Sequence, residues 1–503
     1  MLTSLFKVFY HMGILTPKGI YHVTTYLLKH GVNTMLLLYL AAHRKGTHVA
    51  LIDDREEITY KELYNQSNSL AVFLRYEMNI RENQKVAFLC KNHASLIRYI
   101  FAASRLGATI YLLNTGMSAR QFNELIDIHN FDLLIYDDQF KELITSSGYS
   151  NKKLNSNRCI SEDLPDKHLP KSSISKIILL TGGTTGQPKE VTHKPSVTNF
   201  LQPFLALIER LKLPSHQTVY IATPIFHGYG IAILLVFFAL GKKVVITKQF
   251  DVEKACKLIK IHQVEVVTVV PLMLHRLLAA NTQALSSLRC IASGGAKLSP
   301  TIIERTRRSL GEVLYNLYGT SEAGLNIIAT PQDLALSTQT IGRPIKGTKI
   351  KIVDEEGMEL PTGGIGQLCF QNNWSMKNRT SNLIQTGDLG YVDEKGLFFL
   401  KGRKDEMVIS AGQNIFPSEI EHIILSHPFV EDTAVVGMED EEYGQKLVAF
   451  IQLSLNCSLS TPELMEWLRP QIAKFQLPKE VLFVSELPYS SVGKLQKRKL
   501  EVK

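Results

Sequence analysis

Paired or clustered cysteine is the first thing this sequence lacks. Its six cysteines among 503 residues (Cys90, Cys159, Cys256, Cys290, Cys369 and Cys457) are widely scattered, with no CxxC and no cysteine–histidine cluster along the chain. That spacing argues against zinc and against a disulfide framework, and it favours a reducing, cytoplasmic setting. Long hydrophobic runs are also missing. No uninterrupted apolar stretch reaches the ~18 residues of a membrane-spanning helix. A basic leader with a small-residue cleavage site is lacking too, so a secretory signal is not expected. The formal net charge of +9 is diffuse, and the densest basic stretch, "GKLQKRKLEVK", is too short to serve as a nucleic-acid arm. Internal repeats and low-complexity tracts are absent.

What is present reads as an ordinary soluble globular chain, 45% hydrophobic and 20% charged, long enough for several cores. The first 48 residues are apolar-rich but broken by Lys7, Lys18, Lys29, His30 and glycines, which fits amphipathic helices. Their apolar faces are expected to pack on the protein, with peripheral membrane contact as the alternative. From about residue 50, continuous Val/Ile runs alternate with helical segments: "KVAFLC", "TIYLLN", "FDLLIYDD", "VYIATP", "KKVVIT", "VEVVTVV". Such runs indicate parallel strands buried on both faces. After Gly342 the texture shifts to alternating residues and turns, as in "TKIKIVDEEGMELPTGGIGQLCFQ", which predicts hairpins and a β-subdomain. Beyond Arg403 helix and strand mix over roughly 100 residues, the size of a small α+β domain. Ser460 with Glu463 has the spacing of a capping box, with Pro462 in the first turn.

The chemistry concentrates in a few stretches. "IILLTGGTTGQPKEV" (177–191) leaves an apolar run through glycines and threonines and arrives at Lys189. A surface loop is one reading. A phosphate cradle is the other, since glycines admit backbone N–H groups to an anion while hydroxyls and a lysine add donors and charge. It is not a P-loop, because Pro188 precedes Lys189 and Glu190 follows it. "PIFHGYG" (224–230) carries His227, "YNLYGTSEAG" (315–324) carries Glu322, "TGDLGYVDEKG" (386–396) carries Asp388, and "LPYSSVGKLQKRKL" (487–500) carries Lys494. Each alone has a structural explanation in turns, packing or a solvated tail.

In this order, and with "GRKDEMVISAGQNIFPSEIE" (402–421), the stretches together resemble the adenylate-forming superfamily, from about Ala50 to the C-terminus. Residues 89–126 look most like bacterial fatty-acyl-CoA ligases. The resemblance implies a large N-terminal α/β domain with a β-subdomain plus a small mobile C-terminal α+β domain. The expected divisions are a helical extension (1–48), an adenylating domain (49–402) and the mobile domain (403–503). It implies ATP-dependent activation of a carboxylic acid, a fatty acid favoured, to an acyl-adenylate, then thioester formation with coenzyme A. Transfer to a carrier-protein phosphopantetheine and a non-catalytic nucleotide-binding paralogue are the alternatives.

Residue by residue, the resemblance places Thr181, Gly182, Gly183, Thr184, Thr185, Gly186 and Lys189 on the leaving pyrophosphate. Glu322 falls on the Mg²⁺ ligand, suited to a hard cation. Ser321 falls at the α-phosphate and Asn316 at the adenine, within the nucleotide-binding run that also holds Tyr318, Gly319 and Thr320. Asp388 and Arg403 fall on the ribose hydroxyls. Lys494 would bridge the substrate carboxylate and the α-phosphate, and Asp405 would be the hinge. Ala411 and Gly412 would line the pantetheine tunnel, with His227 as its gate. "PIFHGYG" lacks the aspartate that holds an amino acid's amino group, which disfavours an amino acid substrate. Two departures stand out: Gly182 replaces the family's serine, and Glu190 replaces its glycine.

Overall fold

The computed structural model describes residues 2–158, 168–173, 175–182, 188–191, 197–320, 322–375, 383–410, 413–440, 444–454, 457–490 and 495–500. They group into two compact units, one of Met1–Val269, Arg276–Ala292 and Asn373–Thr380, the other of Val270–His275, Ser293–Asn372 and Ser381–Lys503.

The first unit opens with three helices, α1 (Leu2–His11), α2 (Pro17–His30) and α3 (Met35–Lys45). Pro17 and the Thr16 side chain, which accepts from the Gly19 N–H, start α2 where an N-terminus needs a fixed φ and an acceptor. Two parallel arrays follow, as the Val/Ile runs predict. One sheet runs Lys152–Asn155, Leu133–Tyr136, Lys85–Leu89, Thr109–Leu112 and Ile177–Gly182, all parallel, and ends on Pro188–Val191, antiparallel. The other places Val49–Ile52, Lys243–Ile246, Thr218–Ile221 and Val266–Val269 in parallel, with Glu57–Thr59 antiparallel at its edge. The helix Gly228–Leu240 is apolar nearly all round, which only a buried helix tolerates, and Ala94–Arg105 is buried along most of its length. Their Phe101 and Phe238 rings meet edge-on at 5.7 Å.

Arg105 ends the first of these helices and is 1% exposed. Among the described residues no carboxylate pairs it. Its guanidinium donates to the Pro170 and Leu169 carbonyls and, at 2.9 Å, to Nδ1 of His30. Burial and this guanidinium pull His30 down to about 4, so its ring is the neutral acceptor that Arg105 needs. The C-terminal end of α2 is thereby tied into the unit.

The second unit contains a seven-stranded antiparallel array in the order Lys349–Val353, Gly366–Gln371, Ile384–Val392, Phe398–Arg403, Thr340–Pro344, Gly324–Ala329, Leu314–Thr320. Hairpin texture was expected only after Gly342; the antiparallel region starts at Leu314. The reason is that Thr320–Gly324 is itself a tight turn, its Gly324 at φ +70°, which folds Gly324–Ala329 back on the preceding strand. The C-terminal part carries a three-stranded sheet in the order Val430–Asp440, Gly444–Leu453, Glu480–Val484, the first pair antiparallel and the second parallel. The helices Pro417–Ile424 and Thr461–Leu468 pack on it through Ile420, Ile424, Leu464 and Leu468. Ser460 and Glu463 make the expected capping box, with the Ser460 N–H donating to Oε2 of Glu463 at 2.8 Å. The architecture is the expected one, a large α/β region with an antiparallel β region and a small α+β C-terminal domain.

Candidate active site

Two neighbouring strands of the second unit, Ile384–Val392 and Phe398–Arg403, pair so that Asp388 lies directly opposite Arg403. Antiparallel partners of this kind keep their side chains within reach. Nη1 of Arg403 donates to Oδ1 of Asp388 at 3.2 Å. The other carboxylate oxygen accepts from the Tyr318 hydroxyl at 2.5 Å, a bond across 70 residues of chain. The Asp388 N–H donates to Oγ1 of Thr386, and Gly387 stands at φ +77° with the Arg403 guanidinium 3.1 Å from where a Cβ would lie. A glycine there lets the chain turn and lets the guanidinium reach Asp388.

Burial raises Asp388 above the usual carboxylate range, and the Tyr318 hydroxyl and Arg403 charge oppose that rise. Tyr318 is pushed up by burial first and then by the adjacent carboxylate, so it stays a phenol and a donor. Arg403 reaches a second carboxylate as well. Its Nε donates to Oδ1 of Asp405 at 2.8 Å, and Asp405 sits in the 3₁₀ turn Lys404–Glu406. Each Asp388 oxygen has accepted one bond and has lone-pair capacity left, so the carboxylate suits a vicinal diol, whose hydroxyls donate.

Tyr318 belongs to the strand Leu314–Thr320, which also carries Asn316, buried, and at its end the exposed Gly319 and the partly buried Thr320. A Cβ on Gly319 would lie 2.4 Å from the Gly324 carbonyl oxygen, so the strand's return at this turn requires glycine. Oγ1 of Thr320 accepts from the Ala323 N–H at 3.0 Å and closes the turn that presents Glu322. Glu322 is exposed, an open carboxylate of the hard-oxygen type that Mg²⁺ takes.

In the first unit the Gly/Thr-rich stretch connects two strands of a hairpin. Ile177–Gly182 pairs with Pro188–Val191, and the backbone of Thr181 stands opposite that of Lys189, with Gly182 opposite Pro188. His227 is the N-cap residue of Gly228–Leu240, partly buried, its ring 4.6 Å from Phe226. A Cβ on Gly230 would lie 2.3 Å from the Pro224 carbonyl oxygen, which explains the glycine of "PIFHGYG". Gly183, Thr184, Thr185, Gly186, Ser321, Ala411, Gly412 and Lys494 lie outside the described residues.

Two features escaped the sequence reading. Lys497, in the basic tail, is not a solvated charge. Its Nζ lies 2.7 Å from Glu421 and 3.3 Å from Glu406, whose attraction outweighs burial and raises its pKa. Cys90 and His93, spaced Cys-x-x-His, do come together with Asp137, their ligand-type atoms all within 4.8 Å of one another. That corrects the expectation of no cysteine–histidine cluster. It is a hydrogen-bonded cap, since Nδ1 of His93 accepts from the Leu96 N–H and Nε2 lies 2.8 Å from Asp137. Burial first, and then Asp137, holds the Cys90 thiol protonated.

Glu190 carries a testable consequence. Beside a lysine expected to grip phosphate, its charge would oppose a triphosphate by roughly 3 kcal/mol per unit-charge pair at ~6 Å and an effective dielectric of ~20. Solvent screening brings that nearer ~1 kcal/mol. Glu190→Gly is expected to lower KM for ATP several-fold in steady-state kinetics, most at low salt. An unchanged or higher KM would mean that Glu190 orders the loop instead.

The model of the AMP-binding enzyme family matches residues 38–378, and that of the AMP-binding enzyme C-terminal domain matches residues 419–494. The chain is similar to the fatty acid–[acyl-carrier-protein] ligase ScoC of Streptomyces coeruleorubidus, 27% identical over 92% of this chain and 94% of the relative. It is similar to the 2-succinylbenzoate–CoA ligase of Bacillus velezensis, 28% identical over 90% of this chain and 94% of the relative. Among solved structures, o-succinylbenzoate CoA synthetase from Bacillus subtilis in complex with its acyl-adenylate intermediate superposes with a TM-score of 0.80. The identity is 26%, over 93% of this chain and 98% of that one.

Proposed function

The chain belongs to the AMP-binding enzyme family, and from that premise we propose that it activates a carboxylic acid with ATP and passes the acyl group to the thiol of coenzyme A. In the first step a carboxylate oxygen attacks the α-phosphorus and pyrophosphate leaves. In the second, the thiol sulfur attacks the acyl carbon, AMP leaves and the thiol proton is released. Two anions meet in the first step, so the protein's work is chiefly positioning and charge compensation.

The observation that carries this reading is the Tyr318–Asp388–Arg403 constellation, a desolvated carboxylate held by a phenol and a guanidinium. It orients acceptors for the ribose hydroxyls, while Asn316 on the same strand faces the adenine. Mg²⁺ would neutralise phosphate charge, and Glu322 would hold it. Thr181, Gly182 and Lys189, with Gly183, Thr184, Thr185 and Gly186 between them, grip the departing pyrophosphate, and Ser321 meets the α-phosphate. Lys494 bridges the carboxylate and the α-phosphate. Rotation at Asp405 then divides an adenylating domain (49–402) from a mobile one (403–503), bringing Ala411 and Gly412 to the pantetheine arm beside His227. This assignment draws support from relatives crystallised with ATP and magnesium and with the acyl-adenylate.

For the acid, we favour an aromatic carboxylate of the 2-succinylbenzoate class over the expected fatty acid. Relatives named 2-succinylbenzoate–CoA ligase from several Bacillus species support it. A fatty acid is the second reading, supported by the ScoC relative, and with it comes a carrier-protein thiol as acceptor. Pyrophosphate release with ATP and Mg²⁺, across 2-succinylbenzoate and fatty acids of graded length, decides the acid. Repeating the productive reaction with coenzyme A and with a holo-carrier protein decides the acceptor. No acid-dependent pyrophosphate from any member of the panel would leave a non-catalytic nucleotide-binding protein.

A further inference from the structure

The N-terminal helices dock by one side and leave an apolar side uncovered. On α1 Val8 is buried, as is Met12 just beyond its end, while Phe6 and Tyr10, four residues apart on the helix, are exposed. On α2 the inward residue is Tyr26, 1% exposed, its hydroxyl donating to Oδ1 of Asn33 at 2.7 Å. At 3.6 residues per turn, Ile20, Tyr21, Thr24 and Leu28 fall within an arc of about 100°, centred almost opposite Tyr26. Ile20, Tyr21 and Leu28 are 54%, 65% and 69% exposed. Of the fifteen exposed large hydrophobic residues among the described residues, five lie on α1 and α2. Scattered exposed apolar residues need no explanation, but this concentration on two short helices does.

Charge says what covers it. Residues 1–52 contain no aspartate or glutamate, whereas Lys7, Lys18, Lys29, Arg44 and Lys45 are all basic. Arg44 is spent internally, on the His11 and Leu240 carbonyls. Lys18 and Lys29 are exposed and flank the apolar arc of α2 on one edge. Among the described residues no helix is long and apolar enough to cross a membrane. These helices also precede the region matched by the family model, which starts at residue 38, so the adenylating machinery does not account for them.

We propose that α1 and α2 form an interfacial anchor, in which Phe6, Tyr10, Ile20, Tyr21 and Leu28 enter the headgroup–acyl boundary of an anionic bilayer and Lys18 and Lys29 meet its phosphates. An interface of this kind takes aliphatic and tyrosine side chains without shape complementarity, and tyrosine is at home there because its ring is apolar and its hydroxyl polar. The lysine stems lie along the apolar side while their ammonium groups reach the headgroups. A second copy of the chain would bring like charges together on a surface with no acid to pair them. The proposal stands apart from the choice of acid or thiol acceptor.

Co-sedimentation of the full chain with vesicles tests it. Binding to phosphatidylcholine vesicles containing phosphatidylglycerol is expected to exceed binding to pure phosphatidylcholine by about tenfold or more, and to weaken at high salt. Ile20→Asp with Leu28→Asp is expected to lower it at least about tenfold, with the melting transition and acid-dependent pyrophosphate release in solution retained. Lys18→Glu with Lys29→Glu is expected to weaken binding about tenfold to the anionic vesicles only, and it decides alone if the aspartate pair does not fold. Equal binding to both vesicle types, or full binding by the variants, overturns the proposal. So does light scattering that shows a dimer in the wild type and a monomer in Ile20→Asp with Leu28→Asp, because the occupant is then a second copy. Capture only by an acidic protein surface, with no vesicle binding, also overturns it.

Discussion

Lys494→Ala is expected to lose adenylation, by at least about a hundredfold in acid-dependent pyrophosphate release, the scale on which one preorganised charge acts at a transition state. The same variant should convert a supplied acyl-adenylate and coenzyme A to thioester at a rate close to the wild type's. The asymmetry follows from where charge develops. Attack on the α-phosphorus gathers negative charge on a pentavalent centre already flanked by a carboxylate, and a lysine bridging the two compensates it. The thiol step builds charge at a carbonyl and expels AMP, for which a lysine in that place does nothing. Lys494 follows Gly493 in a basic segment, and other positively charged residues lie close along the chain. Lys497 cannot substitute for it, because its ammonium is committed to Glu421 and Glu406. Equal loss of both half-reactions, or loss of neither, would remove Lys494 from this role.

Asp405→Pro is expected to separate the half-reactions in the opposite sense. Adenylation should stay within a few-fold of the wild type, while thioester formation falls by about a hundredfold, the scale on which a misplaced reacting group loses rate. Asp405 lies in the 3₁₀ turn Lys404–Glu406, between the strand Phe398–Arg403 and the strand Val408–Ser410. A proline fixes φ at that residue and also restricts Lys404 before it, so the turn can no longer pass between two backbone states. The substitution also removes the Arg403–Asp405 ion pair. That pair is half exposed and contributes at most about 1 kcal/mol. Asp405→Asn isolates its loss, and it should leave both half-reactions near the wild-type rate. Normal thioester turnover by Asp405→Pro would take the hinge away from Asp405. Equal damage by Asp405→Asn would mean that the ion pair, and not rotation, is what matters there.

What the sequence determined alone is whatever depends on neighbours along the chain. The Val/Ile runs between amphipathic segments specify strands buried on both faces, and Lys85–Leu89, Thr109–Leu112 and Val266–Val269 are parallel as that composition requires. Ser460 and Glu463 are three apart and cap their helix because a capping box needs only one turn. The motifs that mark the family are likewise local, each a short run of neighbouring residues.

What the tertiary structure decided is which distant groups share an environment. Tyr318 and Asp388 are 70 residues apart, on strands that are not neighbours in the sheet, and only the fold makes one the hydrogen-bond partner of the other. Lys497 reads as a tail charge until Glu406, 91 residues away, is folded against it. The Cys90–His93–Asp137 cap forms only when Lys85–Leu89 pairs with Leu133–Tyr136. The N-terminal helices show the same limit from the other side. Their amphipathic pattern says that a face must be covered, but it does not say how many faces there are. Only the docking of Tyr26, Val8 and Met12 inward reveals that a second apolar face remains outside. Periodicity records the spacing of apolar groups along one helix, whereas burial depends on every element that packs around it.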